Sequence, residues 1–311
     1  MSEVSERLPR STIYLIDLGL LVVAIAWGAS YSLMQIIVHA GVGVPLFLML
    51  RFLLAIPFMA LGARKSIFNI KKGEVVSGVF FGALLYVILT FETLGVKYTT
   101  ASNAGFLIVV SVVLVPFFER ILGGRKQHSA VFMAGGISIV GCGLLCFGKG
   151  GFSGANSGDA LILLAALVRG YQIYMFGRKS PGEKFSLTNI TLIELVVVAS
   201  LAAINVLVFG GFEASQFDGL TAELWAYIVF LSVFATAFAF IMQLYAAKVS
   251  SSTRVGLILS LEPFFAALFA VLIVKDSFNI VQMVGGVMIV AAALLGRWAE
   301  ENRDALQKRS N

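Results

Sequence analysis

Charge is what this chain has least of: 13% of its 311 residues are Asp, Glu, Lys or Arg, against roughly 25% in an ordinary soluble domain. A chain so poor in charge cannot cover its exterior against water, which excludes a soluble globular fold. Cysteine is scarce as well. Cys142 and Cys146 stand four apart in an apolar run, on one helical face, where buried inert thiols are expected rather than a disulfide framework or a redox pair. The two histidines, His39 and His128, are isolated, so no metal site and no cofactor are expected. The amino terminus carries Glu3, Glu6, Arg7 and Arg10 with no small-residue cleavage site behind a short apolar run, and no removable signal peptide is expected.

Apolar residues make up 59% of the chain. They gather into stretches of about 18 to 23 residues, each long enough to cross a hydrocarbon core of roughly 30 Å. Spans are expected near 17–38, 45–63, 75–95, 101–122 and 130–147, and again near 159–177, 186–209, 222–245, 252–274 and 280–298. The expected fold is an all-α integral membrane protein of ten transmembrane helices. Of the 23 Lys and Arg residues, 18 fall at the termini and after the second, fourth, sixth and eighth spans, and 3 fall in the other loops. The positive-inside bias therefore places both termini in the cytoplasm. The net charge of +6 reads as these topology signals rather than as a nucleic-acid surface.

The two halves echo one another. Glu92, Lys97 and Gly105 match Gln243, Lys248 and Gly256 at a constant offset of 151 residues. Met133, Gly135 and Gly136 match Met283, Gly285 and Gly286 one residue out of phase, and Asp17 and Gly28 match Asp159 and Gly170 at a shorter offset. The expected units are a cytoplasmic segment 1–16, a five-helix repeat 17–147, a second repeat 159–298 and a cytoplasmic tail 299–311. Five is odd, so the second copy enters the membrane with opposite polarity. Inverted repeats are an architecture of alternating access around a midplane site, which points to a secondary transporter.

Several short motifs carry a family resemblance. Ala26-Trp27-Gly28-Ala29-Ser30-Tyr31, Arg51-Phe52-Leu53-Leu54-Ala55, Thr99-Thr100-Ala101-Ser102-Asn103-Ala104-Gly105-Phe106 and Ser260-Leu261-Glu262-Pro263-Phe264 resemble, in order and spacing, the EamA family of the drug/metabolite transporter superfamily. The resemblance implies a ten-helix fold whose central cavity is lined by the first, third, fourth, sixth, eighth and ninth spans. It also implies export of amino acids, amines or related metabolites, in some members by proton exchange. Three positions depart from the pattern: Glu92 stands where relatives carry Gln, Arg169 where an aromatic or small residue is usual, and Lys275-Asp276 in place of a Gly-Glu ending.

An ionisable group in a span costs roughly 2.5 to 3.5 kcal/mol at the bilayer centre, so each needs a partner or a cavity. Glu262, beside Pro263, is a candidate for binding an ammonium group or a proton, or for a structural hydrogen bond. Arg169 either neutralises Glu262 or Glu194 or holds an acidic group of the substrate; with Glu262 it would suit a zwitterion. Glu194, about 13 Å into its span, and Arg51, about 9 Å into its own, read as snorkelling or structurally paired. Glu92 reads as an outer proton site or an interfacial carboxylate near Lys97. Trp27 and Tyr31 share a helical face, as do Tyr86 and Thr90, and rings in a cavity attract cations. Ser232, Thr236 and Gln243 form a polar row. Asn103 and Tyr171 complete the expected substrate-binding set.

The run ending Gly148-Lys149-Gly150 resembles a phosphate-binding loop but has Gly150 where Ser or Thr would hold magnesium, so no nucleotide chemistry is expected. The rival readings are a multi-pass membrane enzyme, for which no nucleophile, metal cluster or carboxylate pair gathers at one depth, and a channel or sensor. The reading favoured here is a small-metabolite carrier of the inner (plasma) membrane, not an enzyme. Its partners would be a small-molecule substrate and lipid, with no nucleic acid. The glycine pairs of the fifth and tenth spans leave room for a homodimer contact.

Overall fold

The computed structural model describes residues 10–63, 69–124, 129–147, 156–179, 185–210, 219–249, 255, 258–277 and 279–310. Every regular element among them is helical. The first half comprises α1 (Arg10–His39), α2 (Val44–Ala63), α3 (Lys72–Tyr98), α4 (Ala101–Leu107), α5 (Val110–Ile121) and α6 (Ser129–Phe147). The second comprises α7 (Ser157–Lys179), α8 (Leu187–Asn205), α9 (Ala222–Ser232), α10 (Ala239–Val249), α11 (Glu262–Leu272) and α12 (Ile280–Ser310). Helices satisfy their backbone polar groups within one segment, as hydrocarbon requires. Among the described residues seven segments are long and apolar enough to cross a membrane, and three shorter apolar helices accompany them, Phe132–Cys146, Glu262–Leu272 and Ile280–Gly296. Large apolar side chains face outward, Phe209 at 81%, Ile139 at 74% and Ile280 at 73% exposure, as side chains in contact with lipid do. The molecule is a multi-pass membrane protein.

Three expected spans are not single regular helices, and a fourth, 186–209, closes on a π-helical turn at Val206–Gly210. The span 101–122 breaks between α4 and α5, where Val109 N–H bonds Phe106 O at 3.2 Å and Val112 N–H bonds Val109 O at 3.0 Å, the tighter i→i−3 pattern. Pro116 lies inside α5. Its ring crowds the carbonyl four residues back, at Val112, which accounts for a kink upstream of it. The span 222–245 passes through a π-helical turn, Val233–Phe238, between α9 and α10. Of the span 252–274, Val255, Ile258 and Leu259 are helical, Ser260 and Leu261 form a turn, and helix resumes at Glu262; residues 250–254 and 256–257, like His128 and 148–150, lie outside the described residues. Pro263 therefore sits in the first turn of α11, where a missing N–H costs nothing. The turn at Ser260 and Leu261, just behind it, separates the two helical stretches of the span. α12 continues past Trp298 as one helix to Ser310.

Lipid offers no hydrophobic drive for helix association, so close packing has to supply it. Glycine provides the closeness. A Cβ on Gly28 of α1 would lie 2.5 Å from Phe265 Cβ of α11, and one on Gly285 of α12 would lie 2.6 Å from the Gly141 carbonyl of α6. Gly78 and Gly82 of α3 rest against Ile193 and Val197 of α8.

One end of the bundle is sealed by buried polar groups. Gln35 donates to Thr99 O at 2.9 Å, and the Thr99 hydroxyl and Asn103 amide both donate to Asp159 Oδ1, at 2.5 and 3.3 Å. Gln282 donates to Asn103 Oδ1 at 3.5 Å and to Leu145 O at 3.4 Å. Asn279 and Gln282 cap α12 reciprocally, a capping-box arrangement. Gly158 presses backbone to backbone beside this cluster, since a Cβ there would lie 2.4 Å from Thr99 N. At the opposite end Glu74 accepts from Ser186 N at 2.7 Å and from Asn189 Nδ2 at 2.9 Å, joining α3 to α8.

Lys275 adopts φ +60°, a left-handed conformation that costs an L-residue roughly 1–2 kcal/mol and glycine little. The departure from Gly noted in the sequence thus falls where Gly fits best. Asp276 next to it accepts from Ser102 Oγ at 2.7 Å. Lys275→Gly is expected to stabilise the protein by about 1 kcal/mol, read as a higher unfolding temperature of the detergent-solubilised protein. An unchanged or lower temperature would refute the strain.

Candidate functional site

A cavity of about 520 Å³ opens between the two halves, walled by α1, α2, α3, α4–α5, α7, α8, α9–α10, α11 and the inner edge of α12. Its walls do not include the residues of the sealed end. They run instead toward Phe176 and Leu187, near the end where α7 finishes and α8 begins. The size falls in the usual range for small-molecule sites, ~300–1,000 Å³.

The cavity's polar groups are few and individually held. Tyr31, fully buried on α1, donates its hydroxyl to Glu262 Oε1 at 2.9 Å. One turn earlier Trp27 donates its indole N–H to Ala235 O at 2.9 Å. Ala235 belongs to the π turn, whose altered register frees backbone acceptors. Thr236, in the same turn, bonds Leu231 O at 3.0 Å and accepts from Arg51 Nε at 2.9 Å. Arg169 of α7 pairs with Glu92 of α3 at 2.8 Å. Glu194 of α8 also lines the cavity and has no hydrogen-bond or ion-pair partner among the described residues.

Of the residues expected to bind substrate, Trp27, Tyr31, Arg169, Gln243 and Glu262 line this cavity together with Glu92. Tyr86, Asn103 and Tyr171 do not. Asn103 is part of the sealed end. Tyr171 packs against Phe118, ring centroids 5.7 Å apart, and Tyr174, 6.4 Å apart. Tyr86 packs on the main apolar core.

The pairing of the charges also differs from expectation. Arg169 takes Glu92 rather than Glu262 or Glu194, and Glu92 is a buried partner, 4% exposed, not an interfacial group beside Lys97. Arg51 and Glu194, read as snorkelling or structurally paired, both line the cavity, and Arg51 is bonded to Thr236 and Met34. Depth along a helix predicted their distance from the ends, but the face each turns to its neighbours decides whether it meets lipid or cavity. The π turn and the hydrogen bonds of Glu74 had no sequence signal, whereas the pair Gly285 and Gly286, legible in the sequence, does mark a close helix contact. The charged lining thus comprises two arginines, Arg51 and Arg169, and three carboxylates, Glu92, Glu194 and Glu262.

The sequence model of the EamA-like transporter family matches this chain twice, over residues 14–147 and 156–297. An uncharacterized transporter of Archaeoglobus fulgidus is 29% identical over 287 residues, covering 90% of this chain and 84% of its own length. The uncharacterized transporter YetK of Bacillus subtilis is 25% identical over 235 residues, covering 73% of this chain and 68% of its own. A solved crystal structure shares the fold with a TM-score of 0.61 at 18% identity, over 94% of this chain and 98% of that one. With both halves matched and the relatives named as transporters, the chain belongs to the EamA-like transporter family and is a membrane transporter.

Proposed function

We propose that this protein is a secondary carrier that exports small metabolites bearing an amino group, in exchange for protons, across the plasma (inner) membrane. On this reading the seven long helices and three shorter ones make ten spans, arranged as two five-helix halves of opposite polarity with both termini in the cytoplasm. The loop charges support that orientation, and the sealed end then faces outward while the cavity faces the cytoplasm. The seal favours a carrier over a channel, which would need a path through both ends.

The observation that carries the proposal is Glu262: a carboxylate in the cavity wall, bonded by one neutral hydroxyl, that of Tyr31. With Glu194 it leaves the cavity lining one negative charge in excess when all five groups are ionised, which suits a cationic amine, an amino group or a proton. Aromatic rings beside it add cation attraction. The test is uptake into liposomes that hold the purified protein and a pH-sensitive dye, scanned with amines and amino acids. Saturable, substrate-dependent proton movement absent from protein-free liposomes is expected. Substrate uptake without proton movement would reject the coupling, and no uptake of any amine or amino acid would reject the substrate class.

A further inference from the structure

We infer that the sealed end of the bundle holds a sodium site, centred on the second carboxylate oxygen of Asp159 and bounded by the last turn of α6. The site stands on the geometry of the seal; only its consequence for transport rests on the carrier reading above.

Asp159 is 2% exposed, and its two oxygens are treated unequally. Oδ1 accepts from the Thr99 hydroxyl and the Asn103 amide, whereas buried Oδ2 has no hydrogen-bond partner. No Lys, Arg or His among the described residues pairs with this carboxylate. Lys97, two residues before Thr99 in sequence, carries its ammonium over the Tyr98 ring at 5.7 Å instead. The Asp159 backbone N–H bonds Asn156 Oδ1 at 2.9 Å in the first turn of α7, where the positive end of the helix dipole suits a negative charge. A buried anion with one bare oxygen and no counter-charge is unfavourable. A cation at Oδ2 would remove both deficits.

Neutral oxygens gather beside it. Leu145 lies in the last turn of α6, which ends at Phe147, where helix carbonyls run out of intrahelical donors and the dipole favours a cation. The charge of Asp159 reaches the Cys146 thiol, which sets the carboxylate against this same turn. Asn103, whose amide N–H is given to Asp159, offers its Oδ1 to Gln282 Nε2 at 3.5 Å, and Gln282 Nε2 also reaches Leu145 O at 3.4 Å. Both distances are long for hydrogen bonds. One amide nitrogen thus stretches toward two oxygens that a cation would hold at closer range.

The donor set is one carboxylate with carbonyl, amide and hydroxyl oxygens. Hard oxygens suit hard cations rather than transition metals, and no group of three His, Cys, Asp or Glu side chains gathers among the described residues. A single carboxylate supplies too little charge for calcium, whose affinity is set by the charge of its ligands. A monovalent ion fits. The close packing of Gly158 on the Thr99 backbone favours sodium over the larger potassium. Gln35 of α1, Asn103 of α4, Leu145 of α6, Asp159 of α7 and Gln282 of α12 meet here. An ion bound only while they are together stabilises the closed seal by mass action, and in a carrier it holds the cavity open to the opposite side.

The test is thermal unfolding of the full-length protein in detergent, in the chlorides of sodium, potassium and N-methylglucamine at one ionic strength. Sodium is expected to raise the unfolding temperature of wild type by about 3 °C over the other two, in a saturable manner. Asp159→Asn should remove the sodium dependence. Asp276→Asn, which alters the other aspartate of the seal, bonded to Ser102, should keep it. Equal unfolding temperatures of wild type in the three salts would overturn the site, as would a potassium effect equal to that of sodium or a sodium dependence that survives in Asp159→Asn. Should Asp159→Asn fail to fold, binding of radioactive sodium to wild type decides in its place: saturable binding supports the site and its absence overturns it. A protein that sodium stabilises but that moves no solute into liposomes would keep the site and remove the carrier reading.

Discussion

Arg169→Gln is expected to destabilise the protein by about 3–5 kcal/mol, because it leaves Glu92 charged, buried and without its cation. Glu92 is 4% exposed, and its ion pair with Arg169 at 2.8 Å links α3 to α7 across the cavity wall. Glu92→Gln should be damaging for the converse reason, but less so, since the Arg169 side chain is 25% exposed and can draw on cavity water. The double variant Arg169→Gln/Glu92→Gln removes both charges and leaves two amides able to bond each other. It should recover most of the loss. Thermal or denaturant unfolding in detergent measures all three. If the double variant is as unstable as the sum of the singles, the two residues are not energetically coupled and the pair is incidental to the fold.

Glu262→Gln is expected to reduce uptake driven by a pH gradient at least 100-fold, while exchange of substrate for substrate at equal pH continues. The amide preserves size and can still accept from the Tyr31 hydroxyl, which now bonds Glu262 at 2.9 Å. It cannot gain and lose a proton. A carrier that couples through this carboxylate should therefore lose its drive before it loses its shuttle. Tyr31→Phe removes one hydrogen bond to the carboxylate, worth about 1.5–3 kcal/mol while Glu262 is ionised, and should slow gradient-driven uptake by about 10- to 100-fold without uncoupling it from protons. Undiminished gradient-driven uptake in Glu262→Gln would move the coupling role to Glu194, the other cavity carboxylate with no cation beside it.

Hydropathy made the helices legible because each span is a continuous apolar run whose length the bilayer sets. It could not fix the rotation of each helix about its axis, and the cavity depends on that rotation. Tyr171 shows the cost: it lies two residues from Arg169, about 200° around the helix, so the two could not both face the same cavity. Arg169 does, and Tyr171 stacks on Phe118. Tyr86 follows cavity-lining Leu85 by one residue, about 100° away, and turns into the core. Asn103 was legible as polar but not as part of the seal, because its partners Asp159 and Gln282 lie 56 and 179 residues away in sequence. Pairing of charges was equally hidden. Arg169 had two expected partners, Glu262 and Glu194, and the packing of α3 against α7 gives it a third carboxylate, Glu92.

The π turn at Val233–Phe238 sets the two halves of the chain apart. Ahead of it, α3 and α9 begin at Lys72 and Ala222, 150 residues apart; beyond it, Glu92 and Gln243, like Lys97 and Lys248, are 151 apart. One extra residue in an α-helix rotates everything downstream by about 100°. A π turn takes up the extra residue within itself, so Gln243 still points into the cavity. The same turn supplies the groups that hold Trp27 and Arg51, the Ala235 carbonyl and the Thr236 hydroxyl. A local widening of one helix thus ties α1 and α2 to the same stretch of backbone, so a change in that turn would be felt on two walls of the cavity at once.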